Sequence, residues 1–179
     1  MIETLISSKT RIKLLLKFFL NNKTTGYLRN LEAEFGESSN AIRMELNRLE
    51  KAGMLRSSHE GNKKIFQANV QHPLYKEVHS IVMKYVGLDR ILEHVIQGLG
   101  ALEEAYLTGT FARGLNSNVI DLILIGEINK IYLIELIDKA EKLIQRKIRY
   151  LIYTKEEFAL RIEKEGDTDC LLLWKKEHS

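Results

Sequence analysis

Apolar residues crowd the segment Thr10–Leu20: Ile12, Leu14, Leu15, Leu16, Phe18, Phe19 and Leu20. That density is too high for a half-exposed strand and predicts a buried helix with Thr10 as its N-cap. Asn21, Asn22 and Gly26 break the pattern. A short second helix follows over Tyr27–Phe35, with Leu28, Leu31 and Phe35 at helical spacing, and Gly36 ends it as a residue tolerant of positive φ. Ser38 or Ser39 can cap a third helix that runs to about Ala52, with Ile42, Leu46 and Leu49 at i, i+4 and i+7 as its buried stripe. Its opposite face carries Asn40, Arg43, Asn47 and Lys51, and Gly53 closes it. Helix, Gly turn and Ser-capped helix form the helix-turn-helix order. Two strand-like runs come next, Met54–Ser57 and Lys64–Ala68, separated by a turn from Ser58 to Lys63 with a basic shoulder. A hairpin after the third helix makes the expected module winged. His59 is read as an exposed turn residue.

Pro73 stands at a natural first helical position, and the pattern from there to Leu99 is helical, with Gly87 placed to split it. Val78, Ile81, Val82, Tyr85, Val86, Leu88, Ile91, Leu92, Val95 and Ile96 make this connector apolar on too many faces for an exposed linker. Such a connector packs on both domains or pairs with a second copy, and a homodimer would fit a two-fold-symmetric duplex site. Beyond it, strands are expected at Glu104–Leu107, Val119–Ile125 and Lys147–Tyr153, and helices at Lys130–Gln145 and Lys155–Glu165. Cys170–Trp174 fits a last strand or a helical turn. Strands alternating with helices imply an α/β layer.

Charge sharpens the reading of the first part. Residues 1–70 hold twelve Lys/Arg against seven Asp/Glu, and the remainder holds fifteen against seventeen, so a net +5 precedes a net −2. A basic first domain favours an anionic partner. In the major groove, Arg reads guanine and Asn reads adenine through paired hydrogen bonds, which makes Asn40, Arg43 and Asn47 the candidate base readers. Ser39, at the helix start, and Lys63 and Lys64, on the hairpin, are the candidate phosphate contacts. The expected partner is therefore double-stranded DNA.

A single Cys supports neither a disulfide framework nor a Cys-based zinc site. Beside Leu171–Leu173, Cys170 reads as a buried reduced thiol, so the cytoplasm is the expected compartment. The apolar runs are far shorter than the ~20 residues of a membrane helix. Lys13 and Lys17 interrupt the one candidate signal stretch, so no membrane association is expected.

Residues Ser38–Leu55, SSNAIRMELNRLEKAGML, resemble the recognition helix and wing start of ArsR-like winged-helix regulators. Residues Gln67–Leu88, QANVQHPLYKEVHSIVMKYVGL, are similar to a subgroup in which the winged helix is joined to a nucleotidyltransferase-like domain. The segment LTGTFARGLNSNVIDLILIG, residues 107–126, resembles the signature of minimal nucleotidyltransferases, so the resemblance covers nearly the whole chain. It implies an α+β protein with three parts: a winged helix-turn-helix domain at 1–72, a helical connector at 73–99 and a nucleotidyltransferase-like α/β domain at 100–179.

In that signature a Gly-Ser pair, here Gly109-Thr110, ends a strand and opens a helix whose N–H groups can hold nucleotide phosphates. Arg113 is the further candidate for meeting a phosphate, so a nucleotide effector is a candidate partner. Two carboxylates at i, i+2 on the next strand and a third from a neighbouring strand hold Mg²⁺ in the family. Here Asp121 is kept, while Val119 stands at the first position and Arg149 at the third. The resemblance thus implies a degenerate site of Val119, Asp121 and Arg149, with Arg149 pairing Asp121 in place of metal charge. From this follow the expectations of no catalysis, no resident metal and no cofactor. The leading functional expectation is a DNA-binding transcriptional regulator. An active Mg²⁺-dependent nucleotidyltransferase and an antitoxin-like protein-binding module are the alternatives.

Overall fold

The computed structural model describes residues 2–166 and 170–177. The chain divides into two compact units, Met1–Tyr85 and Val86–Ser179. The division falls inside the 73–99 stretch.

The first unit opens with α1 (Ile2–Leu5) and α2 (Lys9–Leu15), which continues as a π-helical turn, Leu16–Leu20. The expected cap is corrected. Ser8, not Thr10, caps α2, its hydroxyl accepting from the Arg11 N–H at 3.2 Å. Thr10 lies one residue inside the helix and is buried, so its hydroxyl is not at the terminus. A two-residue strand β1 (Thr25–Gly26), α3 (Leu28–Phe35) and α4 (Ser39–Lys51) follow. α4 packs on α2 and α3 through Ile42, Leu46 and Leu49, all buried. Phe18, Phe19 and Leu31 complete the core they enter.

The hairpin is longer than its sequence pattern indicates: β2 (Leu55–Glu60) and β3 (Lys63–Ala68) pair from Leu55↔Ala68 to Glu60↔Lys63. Only Gly61 and Asn62 are left to turn, with φ +56° at Gly61. Ser58, His59 and Glu60, expected in the turn, are strand residues, because ladder pairing with Lys63–Ile65 overrides their turn preference. β1 pairs β3 on the other side, giving an antiparallel sheet of order β1-β3-β2.

α5 (Tyr75–Val86) begins two residues after Pro73, not at it. Residues 71–74 form a turn in which His72 Nδ1 accepts from the Leu74 N–H at 3.1 Å and Nε2 faces the Ala52 carbonyl at 3.2 Å.

In the second unit Gly87 separates α5 from α6 (Leu88–Ile91), which is prolonged by a π-helical turn, Leu92–Ile96. Then come β4 (Leu102–Thr108), α7 (Gly109–Ala112), β5 (Val119–Gly126), α8 (Lys130–Ile144), β6 (Lys147–Tyr153), α9 (Lys155–Glu165) and β7 (Cys170–Lys175). The sheet has order β6-β5-β4-β7; β5 and β6 are parallel and the other pairs antiparallel. β5 is interior to the sheet, and Ile120 and Leu122–Ile125 are all buried, as its continuous apolar run requires. On one face Ile123 and Ile125 pack with Phe158 of α9, Tyr106 and Tyr153. Alternation sends Ile120, Leu122 and Leu124 to the other face. Cys170 resolves as the start of a strand and is half-buried rather than fully buried, since β7 is an edge strand. No helix among the described residues is long and apolar enough to cross a membrane.

Candidate functional site

In the first unit, the side chains of interest gather where α3, α4 and the hairpin meet. Ser38 caps α4, accepting from the Ala41 N–H at 3.3 Å, so Ser39 is its first helical residue. Arg43 and Asn47 are exposed one turn apart on α4, and Asn40 is exposed a turn earlier. Their helix is fixed from behind. Glu45, 5% exposed, accepts from Arg11 Nε at 2.8 Å and Nη2 at 3.3 Å, and from Arg48 at 3.2 Å. Burial pushes its carboxyl up, but the hydrogen bonds from Arg11 and Ser8 and the two guanidinium charges outweigh that and hold it below the usual glutamate value.

A cavity of about 680 Å³ lies beside this face. Arg43, Asn47, Lys63 and Lys64 all line it, so the structure brings four of the six expected DNA contacts together. Ser39 and Asn40 are not in its wall. The two lysines differ. Lys64 is committed to Glu50 at 2.7 Å, and that bond with one from Ser57 holds the Glu50 carboxyl below its ordinary range. Lys63 has no such partner among the described residues and lies over the Tyr27 ring at 4.7 Å from its centre. Tyr27 and Arg29, at the start of α3, and Asn62, in the hairpin turn, complete the wall. Sequence reasoning missed these three. Their helical spacing and turn type are legible, but their proximity to α4 depends on how α3 and the hairpin dock.

The second unit presents a different arrangement. Asp121 on β5 pairs in register with Thr108 on one side and Arg149 on the other. Arg149 Nε donates to Asp121 Oδ1 at 2.7 Å, and that bond with the carboxylate charge raises the guanidinium pKa further. The carboxylate also occupies the space beside Gly109, whose φ is +66°; a Cβ there would lie 2.8 Å from Asp121 Oδ2. Thr108, Gly109, Asp121, Arg149 and Leu151 line a cavity of about 660 Å³. Thr110 and Arg113 are not in its wall; Arg113 is exposed at the end of α7. Val119 lies level with Lys147 of β6 and outside the cavity wall. Among the described residues no group of three His, Cys, Asp or Glu side chains is placed to hold a metal ion. The one carboxylate in the cavity wall, Asp121, is engaged by the Arg149 guanidinium, which competes with any cation for it.

The sequence matches no protein-family model and no curated protein. Among solved structures, it is similar to a candidate nucleotidyltransferase from Sulfolobus solfataricus, at 24% identity over 57% of this chain and 89% of that one, with a TM-score of 0.37. It is similar to a chain of the complex of tri-AMPylated HEPN toxin with MNT antitoxin from Shewanella oneidensis, at 16% identity over 52% and 74%, with a TM-score of 0.38. A crystallised protein from Archaeoglobus fulgidus matches at 14% identity over 46% and 93%, with a TM-score of 0.38. The first two are named for a nucleotidyltransferase and for a complex of HEPN toxin with MNT antitoxin. The expectation of a chain that catalyses nothing is withdrawn beside neighbours so named. That expectation took two replaced carboxylates, at Val119 and Arg149, for a lost reaction, a step the replacements alone do not carry.

Proposed function

We propose that the first unit is a winged helix-turn-helix of ArsR-like kind that binds double-stranded DNA, with α4 in the major groove and the hairpin against the backbone. One observation carries this reading: the exposed α4 side chains Arg43 and Asn47 share a cavity wall with Lys63 of the hairpin. Base-reading and phosphate-contacting groups thereby face one side of the unit. Asn40, Arg43 and Asn47 supply paired donors and acceptors for base edges. Buried Glu45, held by Arg11 and Arg48, sets the rotation of α4 that presents them. The role is transcriptional regulation, with two copies occupying a two-fold-symmetric site.

The test is retention on a pool of random duplexes at two salt concentrations, followed by sequencing of what is retained. Enrichment of a symmetric site, with affinity falling steeply as salt rises, is the expected result. No retention at low salt removes the reading and shifts weight to an antitoxin-like role with a protein partner.

A second reading is favoured by the seat of Asp121 against Gly109 at the junction of β4 and α7. An acid presented there beside an open cavity suits a unit that handles a nucleotide. Incubation with ATP and a divalent cation tests it: turnover abolished by Asp121→Asn supports it, and absence of both turnover and ATP binding removes it.

A further inference from the structure

We infer that the cavity between α3, α4 and the hairpin is a phosphate-anchoring site built by Arg29 and Lys63, beside the base-reading Arg43. The inference rests on the DNA-binding reading for its first ligand, a backbone phosphate; a free phosphate compound offers the same chemistry.

Within the described residues, some cations of the first unit are committed to carboxylates and others, Lys23, Lys51 and Arg56 among them, are not. Arg11, Lys13, Lys17, Arg48 and Lys64 are each tied to a carboxylate at 2.7–3.2 Å, joining one element to another or one helical turn to the next. Arg29, Arg43 and Lys63 make no ion pair with any described residue, and all three line the one cavity. They come from three separate elements: the first turn of α3, the middle of α4 and the first residue of β3. Glu32 is the one acidic side chain in the wall, and it leaves all three unpaired.

Cations that line one cavity and are left unpaired raise the local potential and concentrate an anion there. The donors suit phosphate: a guanidinium offers a two-pronged fork, and the ammonium adds a point charge. Lys63 is already oriented, since its ammonium sits over the Tyr27 ring at 4.7 Å. Leu46 and Phe66 give the wall apolar portions against which a sugar could lie. The anchor would clamp α3 and the hairpin to the same stretch of backbone, and so fix the depth of α4 in the groove.

The full chain and its Arg29→Ala, Arg29→Lys and Lys63→Ala variants are titrated with duplex DNA of selected and scrambled sequence across salt concentrations, and separately with inorganic pyrophosphate. Arg29 and Lys63 are exposed, and unchanged melting curves confirm folding. For Arg29→Ala the expected result is an affinity loss equal for both duplexes and a log–log salt slope shallower by about 0.9, one phosphate contact, with partial recovery in Arg29→Lys. If the wild-type chain binds no duplex but binds pyrophosphate in a manner lost in Arg29→Ala and Lys63→Ala, the anchor stands with a free phosphate compound as its ligand and the DNA reading falls. If neither variant changes either titration, the anchor is wrong, and duplex binding by the wild type leaves the DNA reading resting on α4 alone. A loss confined to the selected duplex also overturns it, since that makes Arg29 a base reader.

Discussion

At Gly109 the space a side chain would need is already taken by the Asp121 carboxylate, and the backbone there has φ +66°. Gly109→Ala therefore meets two penalties: a left-handed backbone costing roughly 1–2 kcal/mol and a clash that displaces the acid. The expected outcome is a lower melting temperature and loss of the Arg149–Asp121 bond, checked by thermal unfolding and a crystal structure of the variant. Glu45 is the other residue whose surroundings fix its behaviour. Glu45→Gln keeps the shape but removes the carboxylate charge and sets an NH2 donor against a guanidinium, and stability should fall by roughly 1–3 kcal/mol, measured by urea unfolding. The candidate base readers are legible in the sequence because a polar residue opposite an apolar helical stripe must face out. Arg29 obeys the same rule, yet nothing in its neighbours tells that its outward side faces Lys63.

Among the elements, α4 is the one whose start the sequence left between two serines. Only Ser38 has extended backbone with its hydroxyl turned to the Ala41 N–H. Ser38→Ala should cost about 1 kcal/mol, while Ser39→Ala, already inside the helix, should leave the denaturation midpoint nearly unchanged. Equal effects of the two would show the cap to be misplaced. The hairpin shows where local reading stops. Ser58-His59-Glu60 has turn-like composition, but the ladder extends through it to Glu60↔Lys63. The Glu50–Lys64 and Glu50–Ser57 bonds then tie α4 to both strands. Lys64→Ala should lower stability by less than about 1 kcal/mol, because the pair is part-exposed and screened. Its larger effect is expected in the hairpin, as faster amide exchange over β2 and β3.

Across the whole molecule, Glu45 and Glu50 in the first unit and Glu104 and Glu141 in the second all titrate below the ordinary glutamate value. For Glu104 the bonds from Lys175 and Tyr106 are the cause, and for Glu141 the bonds from Lys147 and the Ile148 N–H. A carboxyl with a lowered folded pKa adds stability that is present above its unfolded pKa and lost as pH falls through the folded one. The chain should accordingly hold its stability around neutrality and lose it on acidification below the usual glutamate range. Melting curves taken from neutral to acid pH check this. A melting temperature that rises on acidification would contradict the sign.

The sequence by itself determined what depends on neighbours a few residues apart. Apolar spacing placed α2, α3 and α4 and the buried strand β5, and Ser and Gly marked their ends to within a few residues. The charge split between 1–70 and the remainder was likewise plain. The tertiary structure alone decided which outward-facing groups meet. It placed Arg29 and Asn62 beside Arg43 and Lys63, and it separated Arg113 from the cavity that holds Asp121. The parallel β5–β6 register sets Arg149 Nε 2.7 Å from Asp121 Oδ1, a pair the resemblance already implied. The physical reason is that burial of apolar side chains drives each element to hide one face, and periodicity records that face directly. The encounters between exposed faces follow only from how the buried ones dock.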